Sequence, residues 1–153
     1  SCWCLGECDY DLMWKAYVTK GNGVAIKSSV RKLQAICDEN TEYWPLDISL
    51  VNYFDHAGGE FINYLGRPSV FLNKDKHFEL DNELRVIHWP NVSLPSPEYI
   101  GLPLNELSNF IEQVILQPGS SIDTLMSVKD LLIEAGLEKT PVYYSRDDRE
   151  LLP

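Results

Sequence analysis

Apolar residues recur every three or four positions in some parts of this chain and alternate with polar ones in others, and these two periods separate helices from strands. Ser1 to Leu5 reads as a short buried strand. Asp9 or Asp11 then caps a helix in which Tyr10, Met13, Trp14 and Tyr17 keep the helical spacing, and Gly21-Asn22-Gly23 ends it. Gly23 to Ser28 is a strand. Ser28 or Ser29 caps a second helix, with Val30, Leu33, Ile36 and Cys37 facing inward. From Leu46 to Phe54 the chain alternates through Leu46, Ile48 and Leu50, and Val51 and Tyr53 carry the apolar phase onward after a slip or bulge.

His56 to Gly59 forms a turn, and Glu60 to Leu72 suits a helix interrupted by Gly66-Arg67-Pro68. A loop then feeds a strand from about Asn82 to Trp89, and Pro90, Pro95 and Pro97 make the following segment irregular. Glu98 to Leu104 is predicted as a short strand, and Asn105 as the cap of a single helical turn ending at Phe110. Glu112 to Gln117 is a buried strand closed by Pro118-Gly119. Ser120 or Ser121 opens the clearest helix, with Ile122, Leu125, Val128, Leu132 and Ala135 on one face and Gly136 at its end. Pro141 to Ser145 is a last strand. About six strands and four helices without strict strand–helix alternation predict an α+β fold with a mixed or mainly antiparallel sheet. The pattern gives one domain over residues 1–146, followed by a polar tail, residues 147–153.

Within this pattern one stretch is out of place. Asp81, Glu83 and Arg85 alternate with Asn82, Leu84 and Val86, so a continuous strand puts two carboxylates and a guanidinium on one face. Burying such a face is costly unless the charges pair or serve chemistry. Composition narrows what that chemistry is. The 153 residues carry a formal net charge of -10, which repels phosphate backbones, so non-specific nucleic-acid binding is not expected. No apolar run approaches the roughly 20 residues of a spanning helix. Cys2, Cys4, Cys8 and Cys37 fit no disulfide scaffold and read as reduced thiols of a cytoplasmic protein. Their Cys-x-Cys-x3-Cys start lacks the Cys-x2-Cys pair of a zinc site, and no metal is expected.

The motifs Ser1-Cys2-Trp3, Met13-Trp14-x-x-Tyr17, Gly23 to Ser28 and Phe78-x-x-Asp81-x-Glu83-x-Arg85 occur in that order, followed by Asn105-Glu-Leu and Ile111 to Pro118. Together they resemble the bacterial and prophage domain-of-unknown-function family 2971 over most of the chain. That family usually has Glu where this chain has Asp81. Its members also begin with a further segment, so the resemblance implies that an N-terminal portion precedes Ser1. More distantly, ADP-ribosyltransferases carry a polar residue on an early strand, then a Ser-rich strand and a Glu-x-Glu on a late strand, and Ser1 and Asp81-x-Glu83 resemble the last two of these. That likeness implies an NAD-type dinucleotide as cofactor and a site at Glu83, Asp81 and Arg85, with Ser1, Trp3 and Lys76 toward the cofactor.

Each part of that site has a transferase role. Glu83 would hold the ribose and stabilise positive charge at the anomeric carbon as nicotinamide leaves. Asp81 would orient or deprotonate the attacking group, and Arg85 would pair with a pyrophosphate. The plain alternative is a charge ladder paired with neighbouring strands. Lys74, Lys76 and His77 read either as a phosphate cluster or as a solvated loop. Trp3, Trp14 and Tyr17 read either as a stacking pocket or as core. His56 and His88 complete no recognisable triad. Two functions follow: a nucleotide-handling, ADP-ribosyltransferase-like enzyme, or a non-catalytic binding or assembly module of a mobile-element or defence locus.

Overall fold

The structure, a computed structural model, describes residues 1–6, 11–18, 21–42, 44–55, 57–58, 69–88, 99–104 and 106–145. In chain order the elements are β1 (Cys2–Cys4), α1 (Asp11–Tyr17), β2 (Val24–Lys27), α2 (Val30–Asn40), β3 (Leu46–Leu50), β4 (Asn52–Phe54), α3 (Ser69–Leu72) and β5 (Asn73–Asp75). A 3-10 helix (Lys76–Asp81) follows, then β6 (Glu83–His88), α4 (Leu107–Phe110), β7 (Gln113–Leu116), α5 (Ile122–Glu134) and β8 (Val142–Tyr144). The fold is α+β with mostly antiparallel sheets, as the hydrophobic pattern predicts. No helix among the described residues is long and apolar enough to cross a membrane.

The chain forms two compact units. The first comprises Ser1–Gly6 and Gln34–Pro103, the second Glu7–Leu33 and Leu104–Pro153, so one of the three boundaries falls within α2.

In the first unit β6 is the central strand of an antiparallel sheet in the order β1-β6-β3. The registers Trp3↔Leu84, Ile48↔Val86 and Leu50↔Leu84 put these residues on one face, where Leu84 and Val86 are buried. The registers Cys4↔Glu83, Cys2↔Arg85 and Ser49↔Arg85 give the other face. Directly opposed residues of antiparallel strands share a side, so this sheet separates an apolar face from a charged one. A parallel pair, β4–β5, lies in the same unit.

The second unit carries β2-β7-β8, with β2–β7 antiparallel and β7–β8 parallel. Parallel neighbours need a crossover, and α5 supplies it. Val114, Leu132 and Leu137 form its buried cluster, joined by Ile111, Val128 and Val142. Ser121 caps α5 by accepting a hydrogen bond from the Thr124 amide, and Gly136, at φ 69°, ends it.

Several expectations need correction. The slip expected after Leu50 is a change of sheet: β3 ends there, and β4 pairs instead with β5. β1 is an edge strand with both cysteines exposed, not a buried one. Tyr99 to Leu104 has no regular structure, since Gly101 and Pro103 leave little to pair. The loop expected before β6 contains β5 and the 3-10 helix. Three residues assigned to inward faces, Tyr17, Val30 and Ile122, are exposed, and each is a terminal residue of its helix. Ala135, the helix cap, is exposed too. Asp9, Tyr10, His56, Glu60 to Pro68, Trp89 to Glu98, Asn105 and Cys8 lie outside the described residues.

Candidate functional site

The charged face of β6 is assembled by a short-range device in the residues before it. Asp75 caps the 3-10 helix: its carboxylate accepts from the His77 amide at 2.9 Å and also holds the His77 ring nitrogen. Asn82 ends it in the left-handed region, at φ 41°, and its amide donates to the Glu79 carbonyl at 3.1 Å. Asparagine tolerates this conformation better than other side chains with a Cβ. Its side chain also donates to the Leu5 carbonyl at 2.7 Å, and the Leu5 amide returns a bond to the Asn82 carbonyl at 2.8 Å. The strand ladder therefore starts one residue later, at Glu83.

This turn corrects the expected ladder. Glu83 and Arg85 lie on one face of β6, two residues apart, whereas Asp81 is the last residue of the 3-10 helix and not on the strand. Asp81 still reaches the same cluster, through Lys74. From β5 the Lys74 ammonium donates to Asp81 Oδ2 and to Glu83 Oε1, both at 2.5 Å. It also lies 4.8 Å from the centre of the Phe78 ring, a cation–π contact. Arg85 Nε donates to Glu83 Oε2 at 2.7 Å, Nη2 lies 2.7 Å from the same oxygen, and Nη1 donates to the Phe71 carbonyl at 2.5 Å. The Glu83 amide donates to the Tyr53 hydroxyl at 2.9 Å.

Both oxygens of Glu83 thus carry a cation, and its side chain is 3% exposed. Two carboxylates face two cations, so the cluster is neutral within a chain of net charge -10. Burial pushes the Glu83 carboxyl up, but the hydrogen bonds from Lys74 and Arg85 outweigh it and hold the group below the ordinary carboxylate range. Burial pulls the Lys74 ammonium down, and its bonds to Asp81 and Glu83 more than reverse that. Arg85 is likewise raised: burial opposes the shift, and Glu83 drives it. A carboxylate this acidic, with both oxygens occupied, is a poor general base. Its geometry suits a clamp joining β5, the 3-10 helix and β6.

The residues assigned to a cofactor do not join it. The Ser1 nitrogen donates to the Val86 carbonyl at 2.8 Å, and the Ser1 hydroxyl accepts from the Trp3 indole at 3.1 Å. Ser1 and Trp3 therefore sit opposite Val86 and Leu84, on the face away from Glu83 and Arg85. Lys76 opens the 3-10 helix and is exposed, outside the network. Trp14 is buried in the second unit, while Tyr17 is 60% exposed. His88 closes β6, with its Nδ1 3.2 Å from the Pro45 carbonyl and its ring edge-on to Trp44. Burial, followed by the charges of Asp81 and Glu83, pushes the Cys4 thiol up, which is the reverse of activation. Among the described residues no group of three or more His, Cys, Asp or Glu is arranged to hold a metal ion.

Sequence reasoning missed the centre of the cluster. Lys74 appeared only as part of a basic loop, and Tyr53, thirty positions from Glu83, only as an apolar strand position. The only local signal was the capped turn between Asp75 and Asn82, which returns the chain toward Lys74.

Compared with known proteins, the chain matches no family model, no curated protein and no solved structure.

Proposed function

We propose that the chain is a non-catalytic binding or assembly module, of the mobile-element or defence type that the resemblance to family 2971 implies. In this reading the charges at β6 serve the fold. The observation that carries it is the occupancy of Glu83: Lys74 holds one carboxylate oxygen and Arg85 the other. A ribose hydroxyl would have to reach a carboxylate that is 3% exposed and already charge-paired on both oxygens, by bonds stronger than neutral ones. Ser1 and Trp3 stand on the wrong side of the sheet to complete a dinucleotide site with Glu83. The free thiols of Cys2, Cys4 and Cys37 support a reducing, cytoplasmic setting.

The competing reading, an ADP-ribosyltransferase-like enzyme using NAD, is tested by thermal melts over a concentration series of NAD, ADP-ribose and ATP. The module predicts no dose-dependent rise in melting temperature. A rise with NAD that Glu83→Gln abolishes would overturn it, because a ligand bound only to the folded state stabilises that state by mass action.

A further inference from the structure

We propose that the outward face of α5 is a docking surface for a basic, amphipathic segment of a protein partner, an inference that rests on reading the chain as a binding module. α5 turns Val128 and Leu132 onto the β7–β8 core. At positions i, i+4 and i+11, Ile122, Met126 and Ile133 fall on a separate stripe of the helix, and they are 64%, 52% and 60% exposed. The buried core does not account for them, and helix propensity does not account for the two isoleucines. They add nothing to the buried cluster, and isoleucine forms helices less well than the Lys, Glu or Gln usual on a solvated face. Aligned apolar side chains left in water mark an interaction site more often than isolated ones do.

The neighbouring stripe identifies the partner's chemistry. Asp123, Asp130 and Glu134 lie at i, i+7 and i+11, one residue on from the apolar set, and none is ion-paired with a described residue. Lys129, the helix's single cation, borders the apolar stripe on its other side. An apolar strip edged by carboxylates complements a segment whose apolar side chains are edged by Lys or Arg. The same carboxylates disfavour nucleic acid and anionic lipid. They also disfavour an antiparallel pairing of two copies, since a two-fold axis perpendicular to α5 would bring the acidic stripes together on one side of the seam.

The test is fluorescence anisotropy of the whole chain with a labelled leucine–lysine model helix of about four turns. The probe's leucines follow helical spacing, and a leucine–glutamate helix of the same pattern serves as control. The lysine probe is expected to bind, more weakly as salt rises. Met126→Ser with Ile133→Ser should weaken it by about tenfold or more, as loss of central apolar contacts does. Asp123→Asn with Asp130→Asn and Glu134→Gln should weaken it and flatten the salt dependence. Asp47→Asn, at an exposed carboxylate on β3, should change nothing. All the replaced side chains are exposed, and circular dichroism checks that each variant is folded. Equal binding of the glutamate probe, no binding of either probe, unchanged binding by the α5 variants, or dimerisation that those variants abolish would each overturn the proposal. Failure here with no response to NAD removes only the α5 surface. An NAD response lost in Glu83→Gln removes the module reading itself.

Discussion

Replacing Glu83 with glutamine removes a charge and almost no volume, so it isolates what the Lys74–Glu83–Arg85 arrangement contributes. The glutamine carbonyl can accept from one cation, but its amino group then faces the other, donor against donor. Removing one partner of a buried ion pair costs about 3–5 kcal/mol, mostly because the remaining charge is stranded. Here the low end applies. Lys74 and Arg85 are each 20% exposed, Lys74 keeps Asp81, and Arg85 keeps the Phe71 carbonyl. We therefore expect a loss of about 3 kcal/mol, which for a chain of this length lowers the melting temperature by roughly 6–12 °C. Urea unfolding followed by circular dichroism measures it: the midpoint should fall while the m-value stays unchanged. Asp81→Asn should cost less, since Asp81 is more exposed, at 14%, and shares one partner only. A loss below about 1 kcal/mol for Glu83→Gln would mean that the cluster is solvated, as ordinary surface pairs are, and would refute the clamp.

The same cluster sets a response to acid. Glu83 is held below its ordinary value of 4.5, so its stabilisation is fully present above that pH and is lost as pH falls through the lowered folded value. Wild type should lose more stability than Glu83→Gln on acidification below about pH 4.5, read from urea midpoints at successive pH values. His77 shifts the other way. Its bond to Asp75 raises its pKa above 6.5, so its contribution is complete below pH 6.5 and fades as pH rises through the folded value. An NMR titration should show this shift, and Asp75→Asn should return it toward 6.5. At Asn82, alanine keeps the strained backbone and loses the bond to Leu5, for about 1–2 kcal/mol of conformational cost plus the bond. Glycine relieves the strain and loses mainly the bond, so Asn82→Gly should be the milder change in urea unfolding, and equal losses would contradict the strain argument.

Much of the architecture was legible in the residues because local rules govern it. The helical spacing of Val128 and Leu132, the Ser121 cap and Gly136 located α5, and the apolar run Val114 to Leu116 located β7. At the charged stretch the same reasoning reached Glu83 and Arg85, since two residues apart on a strand means one face. It failed at Asp81, where Asn82 breaks the strand period with one left-handed residue. It also failed at Tyr17, Val30 and Ile122, because periodicity says which residues share a face and not which of them are covered.

By itself, the sequence determined that charges of both signs cluster near β6 and that the fold is α+β. Tertiary structure alone decided what those charges meet. Lys74 and Tyr53 come from β5 and β4, and β1 and β3 decide which face of β6 is apolar. Pairing of this kind depends on register between distant segments. A shift of one residue would exchange the two faces, and no local pattern in the chain sets that register.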